Sequence, residues 1–403
     1  MALHLRSTPR PYIAGPLDRE TQRIIIGGSL VLMLGVALRY WAMSIGHNFD
    51  FDSYCIVGDL VRHGQSVYAN TKRYNYAPPF FLIQGLLYRL SELFTNDQVG
   101  TYRVLMVSYL TGIDVCIAAL IATRVSLRGG ALFFLNPVSV LITGYSNQFD
   151  NMAVLFALLA AFAYHPGDEF DKRDLKFVLF FTLSLVSKHV LFVLPAFILM
   201  RQDLSWKKRA LYAFVPPILF LLSFVPSALR GPEALNGIIQ HVFLYRGWNN
   251  APLLRWLYTA IHLPEQFWIV AFGLLMCTVG FVVRKQEYSF VEVVSVYFIA
   301  LVAFSSTIAN QYLAIPMAGL CILATGAWKY VYAFLASLFV FLDGNGLAMR
   351  NPEWIQSHFG GAIAQAAEFY NRSNGYVILA WILFATLVYI LIRHRMAFAR
   401  EEA

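Results

Sequence analysis

The sequence predicts an all-α polytopic membrane protein, and three observations support this class. Of its 403 residues, 58% are hydrophobic and only 13% are charged, whereas charged residues make up roughly a quarter of an ordinary soluble domain. Apolar runs of spanning or near-spanning length recur along the whole chain. Polar and irregular sequence is gathered in a few segments between these runs. We therefore expect one integral membrane domain over residues 1–403.

The first apolar run, 24–43, follows a polar and basic N-terminal stretch. A helix of about 20 residues crosses a bilayer, and no small-residue cleavage pattern follows the run, which is typical of a retained first span. Each later run is also predicted to form a membrane helix. These runs lie at 101–123, 130–146, 150–165, 210–228, 266–283, 288–304, 311–327, 330–345 and 376–392.

Two further segments are ambiguous. Whether each of them crosses the membrane decides on which side all later segments lie. The segment 76–93 begins with Pro78 and Pro79, and its uninterrupted apolar part, 77–88, is too short to cross. We expect a juxtamembrane or re-entrant helix that stays outside. The segment 176–200 has Lys188 at its centre. A single span would hold this lysine at mid-bilayer at a cost of about 3 kcal/mol or more, so we predict two short helices in a hairpin with Lys188 at its tip.

With these two assignments the chain has about twelve membrane segments and both termini lie in the cytoplasm. The positive-inside rule supports this topology, because the larger share of the 31 Lys and Arg residues then faces the cytoplasm. Three sizeable external segments result, at 44–100, 229–265 and 343–375, and the first is expected to hold juxtamembrane helices.

Charge and cysteine content limit which binding partners, disulfides and metal sites are expected. The sidedness of Lys and Arg accounts for the net charge of +8, so we expect membrane lipids and no nucleic acid as partners. The four cysteines are scattered and have neither metal-ligand nor redox-motif spacing. Neither a disulfide nor a cysteine metal site is therefore expected.

The first external segment opens with Asp50 and Asp52. Residues two apart project to the same side of an extended stretch, so both carboxylates are expected to face one point. Ser53 is then a good N-cap for a helix that runs to His63, with Gly64 as its stop. Asp52 has two open interpretations, a site acid or a cap of this helix, whereas no capping role is apparent for Asp50.

Two polar clusters are expected on the same face. GYSNQFDN, residues 144–151, lies at the outer junction between two spans. Its Asp150 is either the N-cap of the next helix or a second site carboxylate. SKH, residues 187–189, puts a cation at the predicted hairpin tip. Lys188 there either extends to the membrane interface or holds a phosphate.

Two more external clusters carry polar side chains. YRGWNN, residues 245–250, supplies Arg246, Trp248 and Asn250. These residues either hold a sugar by stacking and hydrogen bonds or form part of an interfacial aromatic belt. Asn310 and Gln311 lie at the outer mouth of a later span.

Charges within the spans bear on the class of protein. A transporter or lipid flippase needs polar groups along a path through the bilayer. Apart from Arg39, Asp114 and Glu292, the spans contain almost no charge. A structural role is favoured for Asp114 and Glu292, because neither has an evident acid or base beside it in sequence. A third class, a noncatalytic subunit of a glycosylation complex, would tolerate replacement of Asp50.

The first external segment resembles a known family. It contains DFDSY at 50–54, Asp59, GQSVY at 64–68 and TKRYNYAP at 71–78. This pattern is similar to the first luminal loop of the mannosyltransferases that use dolichyl-phosphate mannose to begin glycosylphosphatidylinositol anchors, which belong to the GT-C glycosyltransferases. The resemblance covers roughly residues 44–325. Further similarities lie in chain order at Asp114, Leu135-Asn136-Pro137 with the following GYSNQFDN turn, Ser187-Lys188-His189, His241, Tyr245 and Asn310-Gln311-Tyr312-Leu313.

The resemblance implies a GT-C fold and an inverting sugar transfer on the external face. A hexose such as mannose would move from a polyprenyl-phosphate sugar to a hydroxyl of a lipid-linked or glycolipid acceptor. Asp50 takes the place of the catalytic aspartate, the general base on the acceptor hydroxyl, and Asp52 that of a second acid. Lys188 would stabilise the departing phosphate. The other substrate-binding candidates are Arg73, Gln148, Asp150, His189, Arg246, Asn250, Gln311 and Tyr312.

No cofactor is required for such a transfer. A lipid monophosphate offers no diphosphate to chelate, so a divalent metal is optional and no metal ligands are assigned. The stretch Tyr76-Ala77-Pro78-Pro79 and the YRGWNN loop depart from the family pattern, so the acceptor and the transferred sugar stay open. No endoplasmic-reticulum retrieval signal is visible. We expect a prokaryotic plasma (inner) membrane with the active site on the periplasmic side, or the endoplasmic-reticulum membrane in a eukaryote.

Overall fold

A computed structural model describes residues 19–94, 97–244, 260, 262, 266–284, 288–305, 308–323 and 325–401. Within these residues the protein is all-helical and has no β-strand, as the sequence predicts. The α-helices are α1 (Arg19–Ile45), α2 (Phe49–Arg62), α3 (Val67–Asn70), α4 (Pro78–Ser91), α5 (Gln98–Arg124), α6 (Leu127–Leu135), α7 (Pro137–Val140), α8 (Asp150–Ala163), α9 (Lys172–Ser187), α10 (Leu194–Met200), α11 (Trp206–Leu222), α12 (Val225–Ala228), α13 (Pro232–Ile238), α14 (Gln266–Val282), α15 (Phe290–Phe304), α16 (Ala314–Ile322), α17 (Trp328–Leu342), α18 (Leu347–Arg350), α19 (Pro352–Phe359), α20 (Gly361–Arg372) and α21 (Gly375–Glu401).

Five helical stretches of the described residues are long and apolar enough to cross a membrane. They are 21–45, 98–124, 206–228, 328–350 and 375–394. A sixth is obtained if α6 and the stretch Pro137–Tyr145 count as one span, although the two are bent by 49°. The other apolar helices are shorter, so the twelve predicted segments and the cytoplasmic termini stay predictions. The protein has the long apolar helices of a membrane protein.

The centre of the protein is α8, which packs against α5, α9 and α15. Nearly all of its side chains are buried. Small residues such as Ala153, Ala157 and Ala161 let these neighbours approach closely. By contrast, α1 exposes large apolar side chains such as Ile26 and Met33, which suits a helix that faces lipid.

The buried charges Arg39 and Asp114 form an ion pair between α1 and α5. The Arg39 guanidinium lies 2.8 Å from Asp114 Oδ2, and both side chains are fully buried. Arg39 also donates to the Phe134 carbonyl and to Ser139 Oγ. Asp114 also accepts from Thr143, at 2.7 Å, as well as from Ser139 and Asn151. The pair is thus surrounded by hydrogen bonds, in agreement with the structural role predicted for Asp114.

Glu292 also has a structural place. It lies in the first turn of α15, where its carboxylate accepts from the Ser289 backbone N–H at 2.8 Å. The Ser289 hydroxyl in turn accepts from the Glu292 N–H at 3.3 Å. This reciprocal capping box begins the helix, so Glu292 lies at a helix end rather than inside a span.

The segment 176–200 breaks at Lys188, as predicted. α9 ends at Ser187, Lys188 is extended, and a 3₁₀ turn leads to α10. α9 and α10 both pack against α11, and Asp174 at the start of α9 pairs with Lys208 of α11 at 2.9 Å. The chain therefore runs out along α9 and returns along α10, with Lys188 at the turn.

The predicted helix at 76–93 is α4, and Pro78 and Pro79 occupy its first turn, where a proline lacks only an N–H that would be unpaired anyway. α4 packs closely on α2. A methyl group added to Gly58 would lie 2.9 Å from the Tyr88 ring, and one added to Gly85 would overlap Val61. Two glycines thus allow this contact.

Candidate active site

The start of α2 differs from the prediction. Asn48, not Ser53, is the N-cap, and its Oδ1 accepts from the Asp50 backbone N–H at 3.1 Å. Asn is as good an N-cap as Ser, and the earlier cap draws the two acids into the first turn, where the helix dipole favours negative charge. The predicted end is confirmed, because α2 ends at Arg62 and Gly64 has a φ of +66°.

Asp50 and Asp52 therefore do not face one point. Residues that are two positions apart in an α-helix are separated by about 200° around its axis. Asp52 is 44% exposed and lies 3.7 Å from His47 Nδ1. The expected same-side pair was wrong, as was the capping alternative for Asp52, and this geometry gives no support to Asp52 as a second acid.

The Asp50 carboxylate points into the protein. Its Oδ2 accepts from Gln148 Nε2 at 2.6 Å and from Asn48 Nδ2 at 3.1 Å. Burial raises the pKa of Asp50 above its ordinary value of 3.8; Lys188 and the two hydrogen bonds oppose this shift, and Asp150 adds to it. Asp50 is thus a half-buried acid with a raised pKa.

A tight turn delivers Gln148 to Asp50. A π-helical stretch, Leu141–Tyr145, precedes Asn147, which has a φ of +54°. Asn tolerates this left-handed conformation, and the Asn147 side-chain amide donates to the carbonyls of Thr143 and Gly144. Gln148 is then buried and also accepts from the Tyr54 hydroxyl at 3.0 Å.

Asp150 is the first residue of α8 rather than its N-cap, which is Phe149. The N-cap alternative was therefore wrong. The Asp150 carboxylate is fully buried, and its Oδ2 lies 2.7 Å from Lys188 Nζ. Its negative charge adds to the rise in the pKa of Asp50.

Lys188 is only 4% exposed. Its ammonium lies 5.1 Å from the centre of the Tyr76 ring, 5.3 Å from that of Phe149 and 5.3 Å from that of Tyr312. Three aromatic rings and one carboxylate thus hold the cation at the turn between α9 and α10, and each ring contributes a cation–π attraction.

The remaining predicted residues are placed as follows. Arg73 donates to the Phe49 carbonyl at 3.0 Å and stacks on the Phe49 ring, beside the first turn of α2. His189 is exposed, with its ring 6.5 Å from that of Tyr76. Gln311 lies half-buried in the 3₁₀ turn Asn310–Leu313, next to Tyr312. Arg246 and Asn250 lie outside the described residues.

The structure also adds residues that the sequence did not single out as site groups. Asn48 donates to Asp50, the Tyr54 hydroxyl donates to Gln148, and Phe149 and Tyr76 flank Lys188. The signal for Asn48 was its capping ability just before two acids. No sequence signal marks the two rings, because they lie far from Lys188 along the chain.

The segment 343–375, which is predicted to be external, reaches the same region. Asn345 Oδ1 lies 3.5 Å from the backbone nitrogen of Phe49, the first residue of α2. Asp343 accepts from the Asn345 backbone N–H at 3.1 Å. The loop after α17 therefore reaches the start of α2, and α17 itself packs against the turn that carries Gln311.

One group of possible metal ligands occurs in the described residues, near the start of α9. His165, Asp171 and Asp174 hold ligand atoms within 4.8 Å of one another. The Lys208 ammonium lies 2.9 Å from Asp174 and 3.3 Å from His165 Nδ1. A protein cation thus already occupies this cluster.

Gln148 allows a direct test of the hydrogen bond to Asp50. We expect Gln148→Leu to slow turnover roughly tenfold or more, because a hydrogen bond to a charged group is lost. That bond lowers the pKa of Asp50. Loss of the bond raises the pKa of Asp50. The fall in activity on acidification should therefore occur at a higher pH in Gln148→Leu than in the wild type. A pH–rate profile checks the shift.

The matched control is Tyr54→Phe, which removes the hydroxyl that donates to Gln148 but keeps the bond between Gln148 and Asp50. This variant should retain most activity. An acid limb unchanged in Gln148→Leu would contradict the role given to Gln148.

The fold and the site together define a helical protein with several apolar helices of membrane-spanning length and a polar site. In this site, Gln148 binds an acid of raised pKa, and Asp150 pairs with a lysine that lies among aromatic rings. Comparison of the chain with known protein families, characterised proteins and solved structures finds no match.

Proposed function

We propose that the protein is a membrane-embedded inverting glycosyltransferase. It would move a hexose, with mannose as the first candidate, from a polyprenyl-phosphate sugar to a hydroxyl of a lipid-linked or glycolipid acceptor. The observation that carries the proposal is that Gln148 binds Asp50 while Asp150, two residues further on, pairs with Lys188. They come from three separate segments of the chain, and the resemblance of the first external segment to GT-C enzymes points to the same acid.

The chemistry assigns one role to each charge. The acceptor oxygen attacks the anomeric carbon as the bond from that carbon to the phosphate oxygen breaks, and the acceptor proton passes to Asp50. A raised pKa brings a carboxylate closer to the working pH, which makes it a better general base. The bonding electrons leave with the phosphate, and the Lys188 ammonium offsets the charge that accumulates there.

Aromatic rings fit the rest of the substrate. Tyr76 and Tyr312, the two partly exposed rings beside Lys188, offer apolar faces on which a sugar ring can stack. The monophosphate needs no chelation, so a divalent ion is optional. The proposed location is the external face of a prokaryotic plasma membrane, or the endoplasmic-reticulum membrane in a eukaryote.

The other classes predict different behaviour. A transporter or flippase would use charges along a path through the bilayer, but Arg39 and Asp114 are bound to each other within a hydrogen-bonded cluster. A noncatalytic subunit would not depend on Asp50. No observation in the described residues favours either class over transfer.

A transfer assay in detergent separates these classes. Purified protein is mixed with a short-chain polyprenyl-phosphate mannose carrying a radiolabelled sugar and with candidate lipid acceptors, and products are separated by chromatography. A transferase forms labelled glycolipid without sealed compartments, which a transporter cannot do. Absence of product with every acceptor, or equal product from Asp50→Ala, would contradict the proposal.

A further inference from the structure

Among the described residues, the ion pair between Lys188 and Asp150 is held by one carboxylate oxygen. Asp150 Oδ2 lies 2.7 Å from the ammonium, whereas Oδ1 is buried and has no hydrogen-bond partner in the part of the chain that the structure describes. Buried polar atoms without partners are rare in proteins, and each calls for an explanation. This pair is therefore less well satisfied than the Arg39–Asp114 pair, whose carboxylate accepts from several donors.

Lys188 also has unused donor capacity. Its ammonium carries three N–H groups, and its hydrogen bond to Asp150 is the one found within the described residues. Aromatic rings flank the ammonium. These faces attract a cation but accept no conventional hydrogen bond, so the remaining N–H groups are available to the oxygens of an anion.

The negative charge of Asp150 would still be stabilised if the carboxylate lost Lys188 as its partner. It lies in the first turn of the 14-residue helix α8, where unpaired backbone N–H groups and the helix dipole favour a negative charge. A phosphate that approached Lys188 would meet both an ammonium with free donors and a carboxylate that repels it.

We propose that Asp150 is a resident counterion of Lys188 that the phosphate of the lipid-linked donor displaces on binding. The inference rests on the proposed function and adds a step to it. The pair neutralises the charge of the buried lysine while the site is empty. When the donor binds, the ammonium pairs with its phosphate instead of with Asp150. Asp150 thus acts against donor binding in the free protein, and a neutral residue there should tighten binding of a lipid phosphate.

Binding of farnesyl phosphate to the purified protein tests the exchange without turnover, with farnesol as the uncharged control. Relative to the wild type, Asp150→Asn should bind farnesyl phosphate about tenfold more tightly, because the competing carboxylate is gone. Lys188→Met should bind it at least tenfold more weakly. The double variant should match Lys188→Met, since the effect of Asp150 acts through Lys188. Farnesol should bind all four proteins alike.

A purely structural Asp150 would give the opposite pattern. Unchanged or weaker binding of farnesyl phosphate to Asp150→Asn, with normal binding to the wild type, would overturn this inference and leave the proposed function intact. A wild type that does not prefer farnesyl phosphate to farnesol would overturn both. If Asp150→Asn does not fold, Asp150→Ser provides the same comparison, because it keeps an oxygen in the first turn of α8.

Discussion

Replacing Asp50 by asparagine is expected to reduce sugar transfer on the order of a thousandfold, within the range that a general base contributes. The amide keeps the size of the carboxylate and can still accept from Gln148, so the fold should be preserved. It cannot take the acceptor proton. The rate is measured at saturating donor, and a thermal unfolding curve confirms that the variant is folded.

Asp52→Asn is the matched control, because it makes the same substitution two residues away in the same helical turn. Asp52 is 44% exposed and faces His47 rather than Gln148. We expect this variant to retain most activity. Equal loss in the two variants would remove the distinction between the two acids, and full activity of Asp50→Asn would exclude it as the base.

The pH dependence of the wild type follows from the same residue. As the proposed general base, Asp50 must be deprotonated to accept the proton, so we expect activity above its pKa and a loss of activity as the pH falls through it. Burial raises this pKa above 3.8. The acid limb should therefore lie at a higher pH than for an ordinary aspartate, and it should be absent from the residual activity of Asp50→Asn.

The largest effect on stability is expected at the buried ion pair of α1 and α5. Arg39→Met leaves the Asp114 carboxylate fully buried without its cation. Breaking such a pair costs about 3–5 kcal/mol. Unfolding in detergent, followed by circular dichroism against denaturant, should show this loss of free energy.

Two comparisons isolate the buried charge as the cause. Adding Asp114→Asn to Arg39→Met should restore much of the stability, because no charge is then left unpaired and the amide can still bond Asn151 and Thr143. Arg372→Met removes an arginine from an exposed pair with Glu368, in which the two side chains are 79% and 52% exposed. Exposed pairs contribute about 0–1 kcal/mol. A loss in Arg39→Met no larger than in Arg372→Met would contradict the prediction.

Local physical chemistry explains why some elements could be predicted from the sequence. A prolonged apolar run has few alternatives to a helix in a membrane, and this gave the helical class and α1. Pro78 and Pro79 suit only the first turn of a helix, and this gave the start of α4. The cost of a mid-bilayer lysine gave the break at Lys188. Each of these results depends on residues within one short stretch.

The geometry of the site could not be predicted from such short stretches. Ser53 and Asn48 are both good N-caps, and the prediction of Ser53 was wrong. Because the helix begins at Phe49, Asp50 and Asp52 lie on different sides of α2 instead of on one side of an extended stretch. Asp50 and Gln148 are 98 positions apart, and the rings around Lys188 come from three other parts of the chain.

The sequence by itself thus determined the helical class, where two segments break or begin, and which polar residues were candidates. The tertiary structure alone decided that Asp50 meets Gln148, that Asp150 neutralises Lys188 and that Arg39 pairs with Asp114 across 75 positions. The physical reason is that helix formation and breaking are local, whereas a buried charge is tolerated only where packing brings a partner from elsewhere in the chain.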